Sequence, residues 1–223
     1  MAYRPLFIPN LDGPVLVKTV NVTFDWFSGP ALSQKQRSID SLHAVARKVP
    51  GIDKVMEVSG KSNDPQGNAL SAFNLLLAMP DRSPISVECA FQGSKVFEQG
   101  GPYTDIYDKS SLEAKRDERL QNSGQLTGFR FMDVDWPLEP PTAFFDWLYI
   151  SALKQTPALI DDLAQYSAFT DIEFNAEKSI NCQAYSIALY VSLFKRKMLE
   201  THVFDKDSFL KLLRSQAVSN PEG

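Results

Sequence analysis

The densest run of chemistry-bearing residues is Ser86-Val87-Glu88-Cys89-Ala90-Phe91-Gln92-Gly93-Ser94-Lys95-Val96. Read as a helix that Ser86 caps and that continues to Val96 or Phe97, it puts Glu88, Gln92 and Lys95 at i, i+4 and i+7 on one face. Val87, Ala90 and Phe91 then turn toward packing. A lysine on such a stripe becomes a nucleophile when burial lowers its pKa and frees the amine, while a neighbouring carboxylate pulls the pKa back up. The competing reading is an exposed face with ordinary hydrogen bonds. A second polar group is Thr170-Asp171-Ile172-Glu173-Phe174-Asn175, followed by Ser179-Ile180-Asn181-Cys182-Gln183-Ala184 at a helix start. On a strand, Asp171 and Glu173 share one face, where two like charges need solvent or a partner such as a ribose diol. Ser179 or Asn181 is placed to cap the helix that follows.

Two weaker features stand beside these. Ser59-Gly60-Lys61-Ser62-Asn63-Asp64-Pro65-Gln66-Gly67 is a turn-rich loop able to cradle an anion, although its glycine spacing is wrong for a phosphate loop. Trp136, ahead of Pro137, either seals the core or stacks on a base. Dinucleotide, phosphate-loop and nucleophile-elbow fingerprints are missing, which removes the Rossmann, kinase and serine-hydrolase readings. With two histidines, two cysteines and no clustered Cys/His spacing, neither a structural zinc site nor a disulfide framework is expected. No cofactor is called for.

The elements that must position these residues read as α+β. Val15–Trp26 alternates with a phase slip near Thr19, as in a strand pair or a bulged strand. Ser33 caps an amphipathic helix ended by Pro50-Gly51, and a short strand follows at Val55–Val58. Ser110 and Glu113 form a capping box for a helix that closes at Gly124. A strand near Phe129–Met132 precedes helices at Thr142–Lys154, Pro157–Gln165, Cys182–Lys197 and Asp205–Gln216. The expected organisation is one α+β domain, with residues 1–60 as a strand-and-helix extension packed on a main domain at 61–216, and a disordered tail at 217–223.

The 223 residues are 43% hydrophobic and 11% aromatic, with 15 Phe, which is enough to bury a substantial core. Lys and Arg number 23 against 27 Asp and Glu, a net −4, so no broad basic field exists for sequence-blind nucleic-acid binding. No signal-like or membrane-spanning apolar run is present in the sequence, and a cytoplasmic protein with no membrane partner is expected.

Together, Leu70-Ser71-Ala72-Phe73-Asn74, Ser86 to Lys95, and Ser179 to Ala184 resemble, in order and separation, the motifs of the NADAR family. These are ADP-ribose-associated N-glycosidases, and the wording here is most similar to the branch associated with DarT-type toxins. The likeness runs from about Lys61 to Lys197. Cys89 stands where the family usually has His, Ala72 where it has Asn, and no Trp-Gly pair follows Asp171.

The resemblance implies an antitoxin that removes ADP-ribose from guanine in single-stranded DNA after a DarT-type toxin has attached it. It implies that Lys95 takes the anomeric carbon as a Schiff base while Glu88 shuttles protons. Direct hydrolysis, with Lys95 only electrostatic, is the alternative. Ser71, Asn74, Gln92 and Asn181 become hydrogen-bonding groups, Asp171 and Glu173 ribose partners, Trp136 a stacking surface, and Lys61 and Ser62 phosphate contacts. Rival readings are a non-catalytic module that binds ADP-ribose or the toxin, and an N-glycosidase of small glycosylamine metabolites.

Overall fold

The computed structural model describes residues 1–177, 179–203 and 205–215. Its N-terminal strand β1 (Ala2–Pro9) pairs antiparallel with β2 (Val17–Phe24) from Ala2↔Phe24 to Pro9↔Val17 without a register shift. Helix α1 (Leu32–Ala46) and strand β3 (Val55–Glu57) follow, then α2 (Pro65–Ala69), β4 (Leu76–Met79), β5 (Arg82–Ser86), α3 (Val87–Gly93) and β6 (Lys95–Phe97). The second half holds α4 (Ser111–Lys115), α5 (Arg119–Asn122), β7 (Leu126–Phe131), β8 (Val134–Trp136), α6 (Ala143–Lys154), α7 (Pro157–Ile160), β9 (Ala168–Thr170), α8 (Gln183–Lys195), α9 (Leu199–His202) and α10 (Lys206–Ser215). The result is one α+β domain.

The main sheet runs β2-β1-β9-β3, with β3 and β9 parallel and the other pairs antiparallel. Because side chains alternate across a strand, its two faces feed two cores. Leu6, Val55 and Ala168 pack with Ile39 and Leu42 of α1. Phe7, Met56 and Phe169 point the other way, into the core that holds Leu148 and Tyr149 of α6 and Ile187 and Leu189 of α8. The turn between β1 and β2 is tied to α8: Ser192 Oγ donates to Asn10 O at 2.6 Å, and Arg196 donates to the carbonyls of Asn10, Asp12, Gly13 and Val15. Residues 1–57 are therefore built into the sheet that carries β9.

Several local expectations change in the folded chain. Val15–Trp26 contains one regular strand rather than a strand pair or a bulged one, because its partner is the N-terminal segment. Ala31, not Ser33, precedes α1, and no side chain caps it. The segment after the capping box is two short helices, and Gly124 closes it at φ +81°. Pro157–Gln165 is α7 followed by a 3₁₀ turn at Leu163–Gln165. Gln216 and the tail from Ala217 lie outside the described residues.

Candidate active site

Glu88 and Lys95 come from consecutive elements, not from one helix. Ser86 caps α3 by accepting from the Cys89 amide at 3.1 Å, but the helix ends at Gly93. A Cβ at Gly93 would lie 2.4 Å from the Tyr107 ring, so only glycine lets that ring close over the helix end. Ser94 then turns the chain, its hydroxyl on Ala90 O at 2.6 Å and against Tyr107 Oη at 3.0 Å. Lys95 opens β6 opposite Phe129 of β7, whose other neighbour across the sheet is Trp136. The i+7 helical position is thus corrected to a strand position that still faces the same cavity as Glu88 and Gln92.

That cavity measures about 1290 Å³. Glu88 is 7% exposed, and burial raises its pKa, against a hydrogen bond from Gln92 Nε2 at 2.9 Å and the charges of Lys115 and Lys95, which lower it. Lys95 is shifted the opposite way: burial lowers its pKa, Glu88 raises it, and Lys115 lowers it further. Its Nζ stands 4.8 Å from the centroid of the Phe91 ring. A half-buried amine shifted toward neutrality and a buried carboxyl shifted toward its acid form, on one cavity, are the residue types that nucleophilic and acid–base chemistry require.

The opposite wall is hung on a buried carboxyl. Glu57 accepts from Ser59 Oγ at 2.6 Å, Thr170 Oγ1 at 2.7 Å and the Ile172 amide at 2.8 Å, which fixes the chain on both sides of Asp171. Burial raises the pKa of Glu57 and of Asp171, and the nearby Asp171 raises that of Glu57 further. Gln183, the first residue of α8, clamps the wall to the Ser71 turn. Its Oε1 accepts from the Ala72 amide at 2.6 Å, and its Nε2 donates to Val58 O at 2.6 Å and Asp171 Oδ2 at 3.0 Å.

Of the residues singled out in the sequence, Lys61, Ser71, Asn74, Glu88, Gln92, Lys95, Asp171, Glu173 and Asn181 line this one cavity. Asp171 and Glu173 follow β9 rather than sharing a strand face, because the strand ends at Thr170. Asp171 is buried, whereas Glu173 is exposed and pairs with Lys35 at 2.9 Å. Asn74 donates to Asn68 O and Oδ1. Neither Ser179 nor Asn181 caps α8, whose N-cap is Cys182 without a side-chain bond. Two residues are placed elsewhere. Ser62 does not line the cavity, and its hydroxyl accepts from the Asp64 amide at 3.2 Å. Trp136 is 3% exposed and packs on Phe144 and Trp147, with ring centroids 5.4 and 4.9 Å away.

The sequence did not point to Lys115, Glu57 or Gln183 as parts of this site. Lys115 lines the cavity from α4 and acts on both Glu88 and Lys95. Nearby Lys109 and Arg119 are neutralised by Asp105 and Asp117, but Lys115 has no ion pair among the described residues. The capping box located its helix without indicating which way the lysine turns. Gln183 sat inside a quoted motif, yet its clamp depends on contacts more than a hundred residues away in the chain.

Among the described residues no group of three or more His, Cys, Asp or Glu is disposed to hold a metal ion. Cys89 and Cys182 are free and buried. No helix of the described residues is long and apolar enough to cross a membrane.

This α+β domain sets a half-buried lysine and a buried carboxyl on one cavity of about 1290 Å³. The family model for DarT1-associated NADAR antitoxins matches residues 2–223, and the chain belongs to that family. The match takes in β1, β2 and α1, which the three short motifs do not reach. No curated protein matches the chain.

Proposed function

We propose that this antitoxin removes ADP-ribose from guanine in single-stranded DNA, reversing the modification made by a DarT1-type toxin in the cytoplasm. The observation that carries this reading is the placement of Lys95 and Glu88 on one cavity, with burial driving the amine toward its neutral form and the carboxyl toward its acid form. In the proposed reaction, the Lys95 amine attacks the anomeric carbon. The bond from that carbon to the guanine nitrogen breaks, and the departing base takes the proton of Glu88. The sugar ring opens to the Lys95 Schiff base. Glu88, now a carboxylate, accepts a proton from the water that adds to the imine, and breakdown of the adduct frees ADP-ribose and restores the lysine.

The remaining side chains suit the parts of that substrate. Asp171, whose Oδ1 accepts from the Glu173 amide and whose Oδ2 accepts from Gln183 Nε2, lines the cavity as a partner for a ribose hydroxyl, with Ser71, Asn74, Asn181 and exposed Glu173 also in the lining. Lys61 and Lys115 supply positive charge for the diphosphate. The net charge of −4 fits an enzyme that holds the modified nucleotide tightly and plain DNA weakly.

The test is mass spectrometry of a single-stranded oligonucleotide bearing ADP-ribosylated guanine after incubation with wild type, Lys95→Ala and Glu88→Gln. Wild type alone should remove the full ADP-ribose mass. Retention of that mass by folded wild-type protein would overturn the reading and leave an antitoxin that acts by binding its toxin, or a glycosidase of small glycosylamines.

A further inference from the structure

Behind Phe174 lies a second cavity of about 570 Å³, between the β1–β2 pair and the ends of α6 and α8. It does not contain Lys95 or Glu88, but it shares walls with the cavity that does. The Pro140–Thr142 turn and the segment from Phe174 to Glu177 line both. Its walls are mainly aromatic and aliphatic. Phe7 meets Phe174 and Tyr185 edge-on, at centroid distances of 6.2 and 5.7 Å. Val17 lies in the floor, and Asn21 is at an exposed position on the edge strand β2.

One polar feature separates this space from a plain packing defect. The Tyr185 hydroxyl makes no hydrogen bond among the described residues, while the carboxyl of Asp146 nearby is saturated by Thr142 Oγ1 and Ser186 Oγ. Arg4, also in the lining, has the strand parity of Leu6, and its guanidinium, held on Ile172 O and Tyr3 O, stands 5.4 Å from the Trp26 ring on the α1 side of the sheet. A flat aromatic ligand with a polar edge matches both: rings for its faces and a phenol for its edge.

We propose that this second cavity binds the nucleobase adjacent to the modified guanine, so that the protein grips two consecutive nucleotides across the Phe174 partition. The inference rests on the single-stranded DNA reading given above. A base is favoured over a free apolar ligand because the two cavities share a wall, so a strand whose modified nucleotide fills the first brings its neighbour to the mouth of the second. A stacked base of this kind contributes roughly tenfold or more to affinity.

The experiment compares an ADP-ribosylated guanosine mononucleotide with trinucleotides carrying the modified guanine in the middle, either intact or with one neighbour replaced by an abasic site. Asn21→Trp, at an exposed edge-strand position, fills the mouth of the cavity, and Tyr185→Phe removes only the hydroxyl. For the intact trinucleotide, Asn21→Trp should raise KM tenfold or more with kcat unchanged. Tyr185→Phe should raise it less, and both should process the mononucleotide like wild type. Wild type should lose the same factor on one of the two abasic trinucleotides, and Asn21→Trp should add nothing further there. Equal KM for intact and abasic strands, or a variant that affects mononucleotide and trinucleotide alike, would overturn the second site alone. Failure of wild type to cleave any of the substrates would overturn the glycosidase reading and this inference with it.

Discussion

Gln92 Nε2 donates to Glu88 Oε1 at 2.9 Å, and the other end of the same amide, Gln92 Oε1, is buried without a partner among the described residues. An unpaired buried acceptor costs about 1–3 kcal/mol, and in the proposed reaction Gln92, on the cavity wall, would accept from a substrate hydroxyl or amine. On the proposed mechanism the amide orients Glu88 with one end and meets the ligand with the other.

Replacing Gln92 with Met removes both contacts in a side chain of similar length. Glu88 loses the donor that lowers its pKa, so its pKa should rise further and the high-pH limb of kcat/KM should move to higher pH. KM should rise as well, since the substrate donor has no acceptor. A pH–rate profile checks this, and a high-pH limb that stays in place would show that Gln92 does not hold Glu88.

Lys115 lowers the pKa of Lys95 and of Glu88 alike. With Lys115→Met, both should rise. The attacking amine then becomes neutral only at higher pH, and the low-pH limb of the profile should shift upward, with activity near neutrality down several-fold. Lys115→Arg should restore the limb. A Met variant with an unshifted profile and only a raised KM would reduce Lys115 to a substrate contact.

Burial raises the Asp146 carboxyl from 3.8 to about 7, and the residue is 1% exposed. In the unfolded chain the same group gives up its proton near pH ~4. Because the folded pKa is the higher one, its contribution to stability is complete below the unfolded value and is lost as the pH rises toward 7, at about 1.4 kcal/mol per pH unit. Denaturant titrations of wild type should therefore show stability falling between about pH 4 and pH 7 relative to Asp146→Asn. Parallel curves for the two proteins across that window would mean that Asp146 is ionised in the folded state.

Local structure is legible in the sequence where a few adjacent residues decide the outcome. The Ser86 cap and the Ser110–Glu113 capping box are intact because both consist of side chains closing on amides three residues away. Long-range pairing was not legible. β1 carries no strong pattern of its own and exists because β2 and β9 flank it. Helix periodicity carried Lys95 to an i+7 position, but the Tyr107 ring over Gly93 and the pairing with Phe129 pull it into a strand. Glu88, Gln92, Lys95 and Asp171 were visible as residue types. Glu57, Gln183 and Lys115 were not, since their roles depend on what the fold brings against them.

The central claim is that the Lys95 amine bonds to the sugar, and trapping that bond tests it most directly. Wild-type protein turning over ADP-ribosylated oligonucleotide in the presence of borohydride should be inactivated with a stable ADP-ribosyl adduct, located by peptide mass spectrometry on Lys95 and missing from Lys95→Ala. Continued turnover under borohydride with no adduct on Lys95 would contradict the account and assign cleavage to direct attack of water, with Lys95 only an electrostatic neighbour of Glu88.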